Sequence, residues 1–308
     1  MSEDSKITQE VSVALKILRG GGVVAIPTET VYGLAARALD RDAVEKIYVI
    51  KQRPRTHPLI VHVASLQEAR NWGIFSQEAQ LLAEHYWPGP LTLLVPRTPL
   101  VPDWITGGRD SVAIRVPNHE LTLRLLIEMQ DAIVAPSANK FGKVSPTEAR
   151  HVLQDLGDQV DVILDGGICD IGVESTIIEC LDQIQVLRPG SITSQEVESL
   201  LNISPKTQSL GASRAPGMMA SHYAPRARVI LCDNKEEADA IIDRMRQDNL
   251  SAFLIHQENN HEYAQKLYAL LRQGDEKGCD VIVAIRAANI GIGLAINDRL
   301  TKASTQPV

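Results

Sequence analysis

Short runs of β-branched and aliphatic residues, each closed by glycine, proline or a helix cap, alternate with helix-period segments along almost the whole chain. Val23-Val24-Ala25-Ile26-Pro27 is one such run, and reads as a buried strand. It follows a helical segment over residues 9–19 that puts Val11, Ala14, Leu15 and Leu18 on one face and is stopped by Gly20-Gly21-Gly22. Repeated alternation of this kind predicts an α/β fold, because helices and strands of this length bury their apolar faces only by layering on one another.

The pattern continues. Asp42 with Glu45 three residues on resembles a capping box, starting a helix that runs to about Lys51. Leu59–Val63 reads as a strand, and Ser76 opens a helix closed by Trp87-Pro88-Gly89-Pro90. Strands are expected at 91–95, 111–116 and 132–135, with a helix near 119–129. Ser145-Pro146-Thr147-Glu148 has the form of a helix start, with proline at the first helical position. Strands at 160–164, 174–180 and 184–188 and a helix at 194–201 complete one large, mixed, twisted-sheet α/β domain over residues 1–201. Residues 202–228 lose the periodicity to Ser, Gly, Pro and Ala, the composition of a linker or lid. Regular strand–helix alternation then resumes over 229–308, which predicts a small Rossmann-like parallel sheet.

Composition excludes several classes. With 308 residues, 44% of them hydrophobic, the chain can bury a large core and a small one. No stretch approaches the ~20 apolar residues of a membrane span. Cys169, Cys180, Cys232 and Cys279 form no CxxC pair, so neither a zinc site nor a disulfide framework is expected. These features predict a soluble, cytoplasmic protein. A formal net charge of −7 argues against nucleic-acid binding by bulk charge, so any polyanion site must be a local patch.

Familiar nucleotide devices are missing: there is no GxxxxGK[ST] loop, and no GxGxxG follows a strand. Polar groups instead gather where strands end. Pro27-Thr28-Glu29-Thr30 brings two hydroxyls and a carboxylate off a buried strand, to hold a ligand or to satisfy the local backbone. Lys51-Gln52-Arg53-Pro54-Arg55 ends a helix with cations suited either to solvent or to one anion. Ala135-Pro136-Ser137-Ala138-Asn139 follows a strand, where α/β sheets commonly bind ligands. Ser145 is either an N-cap or part of a phosphate site at a helix start. Arg115 stands in an otherwise apolar strand and must face water or a partner such as a carboxylate. Arg188 ends a strand, Glu174-Ser175-Thr176 begins one, and His62 lies within one, where a satisfied core histidine is the common case. Together these groups fit one shared crevice at the strand ends.

At these residues the chain resembles the YrdC-like threonylcarbamoyl-AMP synthase family of tRNA modification. The segments that carry the resemblance are PTETVYGLA (27–35), KQRP…HPLIVHV (51–63), WPGPLTLL (87–94), SVAIRVP (111–117), APSAN (135–139), SPT (145–147), GVESTII (172–178) and LRPG (187–190). Ala215-Pro216-Gly217-Met218, His222-Tyr223-Ala224-Pro225 and GIGLAINDRLTKAS (291–304) are similar to the linker and second domain of the family's longer form. The chain departs from the family at Phe141, where many members have serine or threonine, and at Ser111, where threonine is usual. Met219-Ala220-Ser221 replaces a stretch that often carries basic residues.

The resemblance implies a two-step reaction without a covalent enzyme intermediate. Threonine's amine captures CO2 from bicarbonate, and the new carboxylate attacks the α-phosphorus of ATP, expelling pyrophosphate. It further implies that Thr28, His62, Arg115, Ala135 and Ser175 bind threonine. Lys51, Arg53, Ser111, Ser137, Asn139, Ser145, Arg188 and Tyr223 are implied on the ATP side, with Lys51 and Arg53 acting in catalysis. Tyr223 would close over the nucleotide, and a snug apolar spot beside Thr28 would take the threonine methyl group. Mg2+ is expected to travel with ATP rather than occupy a protein-ligated cage, and the product to pass to a tRNA-modifying transferase. The family also admits weak RNA binding, the chief rival role. A carbamoyl-handling maturation factor is a second rival, but its zinc-finger cysteines and acylphosphatase-like segments are not visible here.

Overall fold

The computed structural model describes residues 6–206 and 223–305. In chain order the strands of the larger unit are β1 (Ile7–Thr8), β2 (Val24–Ile26), β3 (Gly33–Arg37), β4 (Ile60–His62), β5 (Leu91–Pro96), β6 (Ser111–Arg115), β7 (Ile133–Val134), β8 (Val162–Leu164), β9 (Thr176–Cys180) and β10 (Ile184–Arg188). Its helices are α1 (Val11–Arg19), α2 (Arg41–Lys51), α3 (Leu66–Ala69), α4 (Gln77–Tyr86), α5 (Asp103–Thr106), α6 (Glu120–Met129), α7 (Ala149–Leu156) and α8 (Ser194–Leu201). The smaller unit holds β11 (Arg228–Cys232), α9 (Lys235–Gln247), β12 (Ala252–Ile255), α10 (Asn260–Glu276), β13 (Val281–Ile285) and α11 (Gly293–Ser304).

The ten strands of the large sheet lie in the order β1-β8-β2-β3-β7-β4-β6-β5-β9-β10. The sheet is mixed: β4 runs parallel to β6 and β5 to β9, while β2 runs antiparallel to β3 and β5 to β6. Alternate residues of each strand point to opposite faces. One face is covered along its length: Val61, Leu93, Ile114 and Ile178 join residues of α2, α4 and α7 in the main core. On the other face α1 and α6 cover only β2, β3, β7 and β8, through Val24, Ile26, Ala35, Ile133 and Val162. The strands β4, β6, β5, β9 and β10 carry there a thin apolar layer of Ile60, Ala113, Leu94, Ile177 and Leu187. That part of the face is where polar side chains stand.

The small sheet is parallel throughout, in the order β11-β13-β12. Helix α9 packs on one side through Ala238, Ile241 and Met245. On the other side α10 and α11 share a core with Val31, Val144 and Val173 of the large unit, so the two units are fused through one apolar cluster. Gly172 marks a close approach of the two: its φ is +80, and a Cβ there would lie 2.4 Å from the carbonyl oxygen of Ala264 on α10.

Two expected helix starts are corrected. The N-cap of α2 is Asp40, whose carboxylate accepts the Ala43 N–H at 3.0 Å, not Asp42. Glu45 turns outward and pairs with Arg55. Helix α7 begins at Ala149 rather than after Ser145. The Tyr32 N–H bonds to the Pro146 carbonyl at 2.9 Å, and this long-range backbone bond takes the Ser145-Pro146 segment out of the helix. The large unit also continues past residue 201, since Lys206 bridges to Gln185 of β10. The expected linker falls largely on 207–222, including Ala215-Pro216-Gly217-Met218, Met219-Ala220-Ser221 and His222, which lie outside the described residues.

Candidate active site

The polar groups meet where strands end: His62 closes β4, Arg115 closes β6 and Arg188 closes β10, while Ala135 follows β7 and Ser175 precedes β9. His62 of β4 and Arg115 of β6 are register partners, with Ile60 and Ala113 paired two residues earlier on the same face. The hollow above them is narrow, with about 50 Å³ open to the centres of water-sized spheres. Thr28, Arg53, His62, Arg115 and Ala135 line it, and so do Ser137, Ser175, Arg188 and Tyr223. Nine expected residues therefore share one cavity. Val31 and Ile60 add apolar wall to it.

Arg115 is fixed from three sides. Its Nη1 donates to Thr30 Oγ1 at 2.9 Å, its Nε to the Gly89 carbonyl at 3.3 Å, and its Nη2 lies 2.7 Å from Glu29 Oε2. That last contact is an ion pair without hydrogen-bond alignment, and neither Glu29 oxygen has a hydrogen-bond partner among the described residues. Glu29 and Thr30, which the sequence offered only as part of the polar group Pro27-Thr28-Glu29-Thr30 and without roles of their own, are thus site residues. The Thr28 hydroxyl serves its own loop: it donates to the Val31 carbonyl at 2.6 Å and accepts the Thr30 and Val31 N–H groups. His62 Nδ1 sits 3.1 Å from the Ile60 carbonyl. Burial, helped by the charge of Arg115, lowers its pKa to about 3, so the ring is neutral at physiological pH.

At the far wall, Arg188 donates to the Ser175 carbonyl and to Ser175 Oγ, each at 3.0 Å, and Ser175 Oγ lies 2.8 Å from Thr92 Oγ1. Arg53 donates to the Pro58 carbonyl at 2.9 Å and lies over the Phe141 ring, 5.5 Å from its centroid. The unusual phenylalanine is thereby accounted for as a platform for a guanidinium. Burial lowers Arg53 to about 10, which still leaves it charged at neutral pH.

Four expected residues do not line the hollow. Lys51 is 1% exposed, and its Nζ donates to the Ser137 and Asn139 carbonyls at 2.5 and 2.6 Å. Burial first, then Arg53, push its pKa well down, and amine and ammonium alike can donate these bonds. Its position behind the 137–139 loop makes it a shaper of that loop. Asn139 Nδ2 donates to the Lys140 and Lys143 carbonyls at 3.0 and 2.7 Å. Ser145 donates to Glu174 Oε1 at 2.7 Å. Ser111 opens β6 opposite Pro96, on the same face as Arg115 but four residues away, about 13 Å along an extended strand.

Glu174, likewise offered without a role of its own, is the hinge of the remaining wall. It lines the hollow and accepts from Ser145, from Tyr268 Oη at 2.8 Å and from Arg299 Nε at 2.8 Å. Tyr223 is 1% exposed, stacks on Tyr268 with centroids 5.6 Å apart, and carries the Arg299 guanidinium over its ring at 5.3 Å. Burial raises its phenol pKa, so the hydroxyl is neutral.

A hollow over the sheet with three buried guanidiniums, lined by hydroxyls and walled by Tyr223, which Tyr268 and Arg299 of the small unit back, defines a binder of small, multiply anionic substrates. Residues 16–190 match the family of Sua5, YciO and YrdC, described as "Telomere recombination", and residues 192–305 match "Threonylcarbamoyl-AMP synthase, C-terminal domain". The chain is 39% identical to the threonylcarbamoyl-AMP synthase of Pyrococcus abyssi over 319 residues, covering 96% of this chain and 94% of that protein. It is also 39% identical to the Bacillus subtilis protein of that name, covering 96% and 93%. The structure of P. abyssi Sua5 complexed with L-threonine superposes with a TM-score of 0.91 at 38% identity, covering 96% of this chain and 94% of that one. The chain belongs to the threonylcarbamoyl-AMP synthase family, in its two-domain form.

Among the described residues, no group of three or more His, Cys, Asp or Glu side chains is placed to hold a metal. None of their helices is long and apolar enough to cross a membrane.

Proposed function

We infer that this chain makes threonylcarbamoyl-AMP from L-threonine, bicarbonate and ATP, releasing water and pyrophosphate. The observation that carries the reading is the shared hollow: His62 and Arg115 side by side on the sheet face, with Arg53 and Arg188 on the same walls. In this reading Arg115 receives the threonine carboxylate, drawn from Glu29 toward the incoming anion. The guanidinium stays anchored through Thr30 and the Gly89 carbonyl while Nη2 turns to the incoming carboxylate, so only one contact is exchanged. Neutral His62 donates or accepts beside it without adding charge. The apolar patch of Val31, Ile60 and Ala135 faces the threonine methyl group.

Arg53 and Arg188 take the polyphosphate, where they offset the charge that builds as pyrophosphate leaves. The 137–139 loop, held from behind by Lys51, supplies Ser137. Mg2+ accompanies ATP as part of the substrate. The carbamate oxygen of N-carboxy-threonine attacks the α-phosphorus, and the α-phosphorus–oxygen bond to pyrophosphate breaks. No enzyme nucleophile is required, so catalysis rests on positioning and charge. Tyr223 keeps water from the mixed anhydride that results. Delivery to a transferase acting on tRNA adenosine, in the cytoplasm, completes the proposal.

The test is pyrophosphate release with single omissions. We expect turnover only when ATP, threonine and bicarbonate are present together. Release that persists at full rate without threonine would remove the basis of the reading.

A further inference from the structure

The wall of the hollow contains an anion that a polyphosphate site should not tolerate. Glu174 stands among the lining residues, 6% exposed, on the same cavity as Arg53 and Arg188. Burial works against its ionisation, but Arg299 first, then Arg188 and Ser145, hold the pKa down at about 2. The carboxylate is therefore ionised, and an uncompensated negative charge at this depth would repel triphosphate strongly, because little water screens it.

Arg299 supplies the compensation from the other unit, 125 residues along the chain. It stands first among the large, fully buried side chains of the described residues, at 0% exposed. Its Nε meets Glu174 Oε2 at 2.8 Å, its Nη2 donates to the Pro189 carbonyl at 3.0 Å beside Arg188, and its Nη1 meets Asp298 at 2.5 Å. Tyr268 Oη and Ser145 Oγ occupy the remaining carboxylate positions. The carboxylate is thus held by three donors, two of them from the small unit. Arg299 also lies over Tyr223, which lines the same hollow.

We propose that Arg299 is a positioning residue for the nucleotide subsite: by neutralising and orienting Glu174 it makes this wall acceptable to the triphosphate, so the small unit completes the ATP side of the site. The threonine side, built by Arg115, His62 and the 28–31 loop, meets the small unit's core only through apolar Val31 and draws no charge compensation from it. The inference rests on the synthase reading above.

The experiment compares full-length wild type with Arg299→Met, Arg299→Lys, Glu174→Gln and Arg299→Met/Glu174→Gln. It reads the KM for ATP, the KM for threonine, ATP affinity by calorimetry without turnover, and thermal midpoint. Arg299→Met is expected to raise the ATP KM and weaken ATP binding tenfold or more, on the order of one unit charge exposed in a partly screened pocket. The threonine KM should stay within about twofold, and Arg299→Lys, which keeps the charge but loses the planar fork, should fall between wild type and Arg299→Met in ATP affinity. Removing the charge of Glu174 in the double variant should recover most of the lost ATP affinity, a coupling that a merely structural arginine would not show.

Equal losses in both substrates without recovery in the double variant would overturn the inference, as would unchanged ATP affinity in a folded Arg299→Met protein. Should Arg299→Met fail to fold, Arg299→Lys against the double variant decides the matter. Loss of ATP affinity in both, without recovery by Glu174→Gln, counts against the proposal. Failure of the synthase reading is distinguishable, because wild type would then release no threonine-dependent pyrophosphate.

Discussion

The two units handle buried polarity in opposite ways. The large one buries Glu29, Lys51, Arg53, His62, Arg115, Glu174 and Arg188 on or beside a single sheet face. Among the described residues of the small unit, the buried charged side chains are Arg272 and Arg299, and both reach out of it. Arg272 pairs with Asp155 at 2.6 Å and donates to the Val144 carbonyl, while Arg299 pairs with Glu174. The small unit's own sheet is apolar on both faces, as a parallel sheet layered by helices must be. The contrast teaches where cost is tolerated. Charges are expensive to bury unless paired, and this molecule places most of its buried charge at the wall it uses and at the seam behind that wall.

The largest effect should come from striking the polar face itself. Arg115→Ala leaves the threonine carboxylate and Glu29 without their cation, and loss of one buried charge partner typically costs about 2–5 kcal/mol. We expect kcat/KM for threonine to fall on the order of 10²-fold or more, with ATP affinity by calorimetry changed far less. Equal losses in both would dissolve the division between the two sides of the hollow.

The seam comes next. Gly172→Ala forces an L residue into left-handed space, about 1–2 kcal/mol by itself, and drives a Cβ against the Ala264 carbonyl. Lower thermal stability, with an ATP KM that rises more than the threonine KM, is the expected outcome. A variant as active and stable as wild type would mean the seam does not support the site.

A smaller effect is expected at the apolar wall. One methyl group is worth about 1–3 kcal/mol of discrimination, so Ile60→Ala should narrow the preference for threonine over serine by several-fold. Competition between the two amino acids in the pyrophosphate assay measures it. No change would place the methyl group elsewhere.

The smallest effect concerns pH. His62 and His151 both have pKa values lowered to about 3, chiefly by burial, against about 6.5 unfolded. As pH falls below 6.5 the unfolded chain takes up protons that the folded one refuses, so stability declines between about 6.5 and 3 and is unaffected at neutral pH. Urea midpoints measured between pH 6.5 and 5 should fall in wild type and flatten in His62→Gln or His151→Gln. A flat wild-type profile would contradict neutral, buried imidazoles.

Much of this was legible in the chain. Ser76 as the cap of α4, the end of α1, the limits of β13 and the regular second unit all follow from local pattern, because they depend on neighbours within a turn or a strand. The Ser145 helix start was misread because a backbone bond from Tyr32 outweighs its local signature. Lys51 and the Thr28 hydroxyl were identified as polar groups worth watching, yet their partners turn out to be backbone carbonyls and amides. Glu174 was visible only as the residue before a hydroxyl pair. Its partners Tyr268 and Arg299 lie 94 and 125 residues away and carry no local signal of their own.

The sequence by itself determined the layered α/β class, the two-unit plan and the set of polar groups too costly to bury without purpose. Residue periodicity and capping chemistry are local, and composition is additive, so both survive being read along a line. Only the tertiary structure decided that His62 stands beside Arg115, which strand ends gather around one hollow, and that an arginine of the second unit offsets a carboxylate of the first. Those facts depend on strand order and on the docking of two apolar surfaces, where contacts are fixed by the sum of packing over the whole chain.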